Sequence, residues 1–361
     1  MPHLELASIS KSFKANKVLD DISLSADAGE IVVIFGPSGT GKTVLLRLIA
    51  GVEEPTSGEI RIASQNMADV APEHRDVGMA FQNFALFPHL NAFENIASPL
   101  RARSQAETQV NSGVSRVAKL LKIDHVLSHA PRQLSNGQKQ RTALARALAS
   151  SPRLLLLDDP LRNVDAKLRF EMRLELPRLL RQAKSTVLYV TQDYKEAMAL
   201  ADRIAVLAKG KFTQIATPED IYRRPATVGV ARLFGDPTIN LVETAVGSDG
   251  SVDLAGDKVI VDATHKAFAG RKVIFGARPE AVVVRQSEGA GLKAQVMAVT
   301  PLNERTVLLL QTATGPEILA SLPSSSATIP KAESDVWLAF DRKGTHLFDH
   351  ETGMTLSEGE A

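Results

Sequence analysis

The sequence predicts an α/β domain wound around a parallel sheet and followed by a small all-β unit, and three observations carry that prediction. Continuous apolar runs such as Ile31-Val32-Val33-Ile34-Phe35 and Leu154-Leu155-Leu156-Leu157 have the character of strands buried on both faces. These runs alternate with helical stretches: 44–50, stopped by Gly51; 106–122, with apolar positions at helical spacing; and the charged amphipathic 166–183. After about residue 235, marked by Gly235-Asp236-Pro237, the chain turns to short strands separated by frequent turns. At 361 residues the chain suits two domains. They are expected at 1–235, with a helical subdomain at about 91–150, and at 236–361.

The totals exclude several classes of function. Apolar content of 44% and charged content of 23% are ordinary for a globular protein, and a net charge of +1 supplies no global field for nucleic acid or anionic lipid. No nucleic-acid partner is expected. The chain has no cysteine, which rules out disulfides, thiolate metal sites and thiol nucleophiles and fits a reducing compartment. Leu4 to Ile9 alternates like a strand, so no signal peptide is expected, and no apolar run has the length of a membrane span.

The chemistry centres on Gly36-Pro37-Ser38-Gly39-Thr40-Gly41-Lys42-Thr43, which fits G-x-x-x-x-G-K-[ST] between a strand and the helix stopped by Gly51. Such a loop points successive backbone N–H groups into one concavity, and the helix N-terminus adds positive potential there. Gly36 and Gly41 permit the turns, Lys42 reaches the β- and γ-phosphates, and the Thr43 hydroxyl is a Mg²⁺ ligand. The fold is thus expected to be a P-loop nucleoside-triphosphate binder, with Mg²⁺ beside the nucleotide.

In chain order, residues 1–30 read as two strands and a turn. Phe13 lies just past the first strand, where it either stacks on a base or joins the core. Val77 to Gln82 reads as a strand ending in a glutamine. The proline-broken, aromatic-rich segment 83–90 is a loop that either meets a partner or folds onto its own core. Asn91 caps the next helix. Leu134-Ser135-Asn136-Gly137-Gln138 opens an alanine-rich helix, where Ser135 is a plain N-cap or part of a second anion site. The Leu154 run ends in Asp158 and Asp159, and an acid at a parallel strand's C-terminal end beside a phosphate loop is where Mg²⁺ is held. Thr186 to Thr191 is a further strand, ending at Gln192-Asp193, and 204–208 another. Beyond 235 the expected strands include 258–261, 272–275, 281–284, 306–310 and 336–340, plausible as an OB-type barrel, with the final dozen residues loose.

The phosphate loop, the Leu134-to-Arg141 element and the Asp158 strand, in that order, resemble the ATPase subunits of ABC transporters. The β-rich tail, with Phe275-Gly276-Ala277-Arg278-Pro279-Glu280 and Leu347-Phe348-Asp349, is similar to the regulatory domain of carbohydrate and glycerol-phosphate importer ATPases. The resemblance implies an ABC cassette with a RecA-like core and helical subdomain, followed by an OB-like regulatory domain. It implies that Phe13 stacks on adenine, that Gln82 senses Mg²⁺ and the γ-phosphate, and that Asp158 holds Mg²⁺ through water. Residues 83–90 would contact two membrane-spanning permease subunits. Ser135, Gly137 and Gln138 would face the nucleotide of a second ATPase subunit in a head-to-tail dimer. A periplasmic substrate-binding protein would act indirectly, and the chain would lie on the cytoplasmic face of the bacterial inner membrane.

Three positions depart from that pattern around the γ-phosphate. Asp159 stands where the family has a catalytic glutamate, Gln192 where it has a histidine, and Arg162-Asn163-Val164-Asp165 where it reads Ser-Asn-Leu-Asp. A base must come within about 2.6–3.2 Å of its proton, and one methylene less withdraws the carboxylate by roughly 1.5 Å. The expectation is a subunit that binds ATP well and hydrolyses it poorly at its own site. It would pair with an unlike, intact ATPase in an importer of a carbohydrate or polyol, glycerol or glycerol phosphate by preference. The alternatives are a slow homodimer, a non-hydrolysing regulator, and a soluble ABC ATPase, against which the single compact cassette speaks.

Overall fold

The computed structural model describes residues 2–254, 256–259, 263–287, 291–313, 315–326 and 328–356. By its internal contacts the chain divides into two units, Met1–Pro218 and Glu219–Ala361.

In the first unit, β1 (Leu4–Phe13) and β2 (Asn16–Ala26) form an antiparallel pair. β3 (Ile31–Phe35), buried along its whole length, leads through the glycine loop into α1 (Lys42–Ala50). β4 (Ser57–Ile62) and β5 (Gln65–Asn66) complete a four-stranded sheet in the order β2-β1-β4-β5. After β6 (Val77–Ala80) come α2 (Ala92–Ala102), α3 (Glu107–Leu120) and α4 (Asn136–Ala149), the helical stretch expected at about 91–150. Asn91 caps α2 through its side-chain oxygen, which accepts from the Glu94 N–H at 2.8 Å. The chain then alternates through β7 (Leu154–Asp158), α5 (Ala166–Ala183), β8 (Thr186–Thr191), α6 (Tyr194–Leu200), β9 (Arg203–Ala208) and β10 (Lys211–Ala216).

The main sheet runs β10-β9-β3-β8-β7-β6, parallel except for the β10 edge. Every residue of β3, β7 and β8 is buried, which is why these strands read as unbroken apolar runs rather than as alternation. Register then sets the site. Phe35 pairs with Thr191, Asp158 with Val190 and Ala80 with Leu157, so neighbouring strands end level. The segments after those ends emerge side by side at the sheet's carboxyl edge, where open α/β sheets bind ligands.

Arg75 anchors the far end of α1. Its guanidinium donates to Leu48 O and Ile49 O at 3.1 Å each, to Met67 O at 2.8 Å and to Val70 O at 2.9 Å, while only 8% exposed. It thereby satisfies the last carbonyls of the helix that begins at the phosphate loop. Arg75→Ala should lower the unfolding free energy by about 2–4 kcal/mol, because four carbonyls lose a charged donor in a buried place. Denaturant titration of the chain reads this directly. A loss below about 0.5 kcal/mol, the range of ordinary surface changes, would mean that water takes over those carbonyls.

The second unit starts with α7 (Pro218–Arg223) and α8 (Val228–Leu233) and continues in β structure. Its strands are β11 (Asn240–Ala245), β12 (Val252–Leu254), β13 (Asp257–Val259), β14 (Lys272–Ala277), β15 (Val282–Arg285), β16 (Leu292–Pro301), β17 (Arg305–Thr312), β18 (Glu317–Pro323), β19 (Asp335–Phe340) and β20 (Thr345–Asp349). They form an antiparallel five-stranded sheet in the order β15-β19-β16-β17-β18, a three-stranded sheet β11-β14-β20 and the pair β12-β13, an OB-like arrangement. Of the strand expected at 258–261, residues 260 and 261 lie outside the described residues.

The contact division at Pro218/Glu219 precedes the boundary expected near residue 235, and Arg278 supplies a physical reason. Buried to 2%, it donates to Tyr222 O at 2.9 Å, to Ala231 O at 3.0 Å and also to Phe234 O, tying both short helices to the β unit.

The loose tail expected for the last dozen residues is corrected for those described. Leu356 N–H donates to Leu347 O at 2.8 Å, Thr355 N–H to Ala226 O at 3.0 Å, and Asp349 Oδ1 accepts from the N–H groups of Glu351 and Thr352. These bonds fasten the segment back onto β20 and the start of the unit. Residues 357–361 lie outside the described set. Among the described residues no helix is long and apolar enough to cross a membrane.

Candidate active site

The loop after β3 closes on itself around the Lys42 ammonium, which donates to Gly36 O at 2.7 Å and Pro37 O at 2.6 Å. Thr40 Oγ1 adds a 3.0 Å bond to Pro37 O. Two glycines make this path possible. A Cβ on Gly36 would sit 2.2 Å from Leu207 O, and Gly41 has φ 99°, a backbone region that side chains disfavour. With Gly41 as its N-cap, α1 begins with no side-chain bond to its first N–H groups, which leaves them for a ligand.

A cavity of about 250 Å³ opens against this loop. Ser38, Gly39, Gly41, Lys42 and Thr43 form its loop wall, and Gln82, Asp158, Asp159, Arg162 and Gln192 come in from the neighbouring strand ends. Thr43 Oγ1 donates to Asp158 Oδ1 at 3.1 Å, so the loop hydroxyl and the strand-end acid meet as expected. Asp159 is buried, continues the sheet ladder through its N–H to Val190 O at 2.9 Å, and adopts φ 45°, an uncommon backbone state for a residue other than glycine. Its Oδ2 accepts from Gln192 Nε2 at 3.4 Å and lies 3.7 Å from Arg162 Nη1.

Burial sets the electrostatics. It pushes both Asp158 and Asp159 above the usual carboxylate range, opposed at Asp158 chiefly by the Thr43 hydrogen bond and at Asp159 chiefly by the Arg162 charge. Burial also lowers the Lys42 pKa, while the two aspartates pull it back up. Beneath Gln192 lies a carboxylate that the sequence did not single out. Glu196, 1% exposed, accepts from Tyr189 Oη at 2.8 Å and Thr191 Oγ1 at 2.9 Å, and burial raises its pKa to about 7. Together with the Thr191 hydroxyl, which accepts from the Asp193 N–H at 3.0 Å, it fixes the turn that carries Gln192.

The remaining expected residues stand outside the cavity wall. Phe13 is 44% exposed with the Lys11 ammonium 4.9 Å from its ring centroid, which overturns the core reading. Ser135 and Gln138 form a reciprocal capping box at the start of α4, at 3.2 and 2.9 Å, and Gly137 is buried in its first turn. Segment 83–90 is held by Arg146, which donates to Ala85 O at 2.7 Å and Phe84 O at 3.2 Å, and by Asn95, which bonds both backbone groups of Phe87. Phe87 nonetheless stays 44% exposed, beside an apolar cavity of about 610 Å³ that Met79, Phe81 and Pro99 also line. So the segment is pinned from below and open above, a mixture of the two expectations.

A site of this kind can hold a polyphosphate, and the comparisons with known proteins agree on ATP. The family described as "ABC transporter" matches residues 19–162, and the TOBE domain matches residues 275–348. The chain is 41% identical over 357 residues to the sn-glycerol-3-phosphate import ATP-binding protein UgpC of Cereibacter sphaeroides, covering 99% of this chain and 100% of the relative. It is 38% identical over 374 residues to the trehalose/maltose import ATP-binding protein MalK of Thermococcus litoralis, with 99% and 100% covered. Among solved structures, the dimeric ATP-binding cassette MJ0796 in a post-hydrolysis state bound to ADP and Pi matches with a TM-score of 0.54 and 30% identity, covering 60% of this chain and 98% of that one. Near-complete alignment at this identity, over a phosphate loop and strand-end acids that converge on one cavity, makes the chain an ATPase of the ABC transporter family, with a TOBE domain behind its cassette.

Proposed function

We propose that this chain energises import of glycerol phosphate or a related polyol or sugar, hydrolysing ATP at the cytoplasmic face of a bacterial inner membrane. The observation that carries the reading is the full-length likeness to import ATP-binding proteins of both kinds, cassette and TOBE domain together. The exposed Phe87 beside an apolar cavity supports contact of 83–90 with two permease subunits, served from outside by a periplasmic binding protein.

In this reading Phe13 stacks on the base, residues 36–43 cradle the phosphates and Gln192 donates a hydrogen bond to the γ-phosphate. Mg²⁺ suits the donors present. Thr43 and Asp158 already meet at hydrogen-bond distance, and among the described residues no cluster of three His, Cys, Asp or Glu side chains competes for a metal. Thr43, Gln82 and Asp158 would share the ion with phosphate and water, as a hard cation with few protein ligands requires. The ion supplies charge neutralisation at the phosphates. Asp159 is the candidate base. Ser135, Gly137 and Gln138 would complete the nucleotide site of a second ATPase subunit, and the dimeric state of the cassette bound to ADP and Pi supports such a sandwich.

The finer reading is that this chain's own site turns over slowly and that its mate is an unlike ATPase with a full-length base. It is favoured by Asp159, whose short side chain is directed at Gln192 and Arg162. The test is ATP turnover by the purified chain alone and with the ATPase subunit encoded beside it. We expect turnover alone to be at least about 10²-fold below that of the pair, the lower range of general-base help. Brisk turnover alone, lost in Asp159→Ala, supports a homodimer instead. Tight ATP binding with no turnover in any assembled complex points to a regulator.

A further inference from the structure

The cavity holds a cation that its phosphate loop does not supply. Arg162 reaches the wall from the turn after β7, and its loop is fixed from two sides. Arg169 donates to the carbonyls of Leu161 at 3.3 Å, Arg162 at 3.3 Å and Val164 at 3.0 Å, while Asn163 Nδ2 donates to Gln82 O at 2.8 Å. The Arg162 N–H closes the turn on Asp159 O at 3.2 Å. The backbone is therefore preorganised, whereas the side chain is 45% exposed and holds Asp159 only at 3.7 Å.

Charge balance says what this arginine is for. The two carboxylates at the strand ends, Asp158 and Asp159, face any phosphate that extends past the loop. Mg²⁺ on Thr43, Gln82 and Asp158 would offset the charge on the Asp158 side, but Gln192, beside Asp159, is neutral and cannot offset the repulsion there. Among the described cavity-lining residues the cations are Lys42 and Arg162, and Lys42 is engaged with the loop's own carbonyls. We propose that Arg162 binds the terminal phosphate of ATP in this chain's own site and makes the site prefer ATP to ADP. The inference rests on the reading of this cavity as an ATP site. The Arg162 charge is the chief one opposing the upward shift that burial imposes on Asp159, and it reaches Asp158 and Lys42 only weakly. A guanidinium pairs with two phosphate oxygens at once, and a half-exposed side chain on a fixed backbone can exchange a loose carboxylate for them.

The experiment is calorimetric titration of the full-length chain with Mg²⁺ and either ADP or the non-hydrolysable imido analogue of ATP. Wild type should favour the triphosphate. Arg162→Ala should weaken triphosphate binding about 10–150-fold, the range for hydrogen bonds to charged groups, and leave ADP within about twofold. Arg162→Lys should recover part of the difference, because a point charge remains without the fork. In Arg162→Ala/Gln192→His the preference should return at pH 6 and fade at pH 8, as the new imidazole loses its charge. An unchanged preference in Arg162→Ala, or equal losses for both nucleotides, would falsify the proposal while the ATP site stands. Wild type that binds neither nucleotide sinks both.

Discussion

Asp159→Glu is expected to raise Mg²⁺-ATP turnover of the purified chain by about 10–100-fold, part of the 10²–10⁴-fold that a positioned base contributes. The residue is already in the right place: it follows the strand-end Asp158, lines the cavity and extends the β7–β8 ladder through Val190 O. Burial also pushes its pKa upward, the direction a base working near neutral pH needs. What it lacks is length, by roughly 1.5 Å for one methylene. Glutamate keeps the charge and the backbone strain at φ 45° unchanged in kind, so the substitution isolates reach. Steady-state phosphate release, with nucleotide affinity measured alongside, separates a faster chemical step from tighter binding. If turnover is unchanged or falls, Asp159 already activates water from where it stands, and the case for an unequal pair of ATPase subunits goes with it.

How much of this site was legible in the sequence follows from what each element does. β3, β7 and β8 are buried on both faces, so their composition announced them, and the acids and loop at their ends could be placed without a structure. The capping box at Ser135 and the cap at Asn91 are local motifs that depend on three or four consecutive residues. Arg162 was visible only as an odd residue in a loop. That its charge enters the cavity depends on Arg169 and Asn163 shaping the turn, contacts that no spacing rule encodes. Glu196 was silent for the opposite reason. It sits in a short helix like any surface acid, and only the strand below reveals that Tyr189 and Thr191 surround it. In the second unit, β17 alternates buried and half-buried residues and contains the strand expected at 306–310. The boundary expected near residue 235 falls after the short helices α7 and α8, because Arg278, which ties them to the β strands, lies more than forty residues downstream.

Lys42→Ala should have the largest effect on binding, weakening ATP and ADP alike by about 10²–10³-fold. Two unit charges 4 Å apart interact by about 4 kcal/mol at the effective dielectric of a partly shielded site, and this lysine is 9% exposed. Its removal acts twice. The carbonyls of Gly36 and Pro37 lose the ammonium around which the loop is curled, and the two raised aspartates are left facing an incoming phosphate with Arg162 alone. Lys42→Arg should not rescue, since a planar guanidinium cannot occupy the position between two loop carbonyls at 2.6 and 2.7 Å. Thermal melting without nucleotide checks that the chain still folds, and titration with each nucleotide reads the loss. The pattern matters as much as the size. A cation seated inside the loop serves the β-phosphate that both nucleotides carry as well as the γ-phosphate, whereas one at the strand ends serves the last phosphate only. Large losses of both nucleotides for Lys42→Ala beside a loss of ATP alone for Arg162→Ala would therefore separate the roles of the two charges. A Lys42→Ala chain that holds ATP within about fivefold of wild type would remove the loop from the binding site altogether.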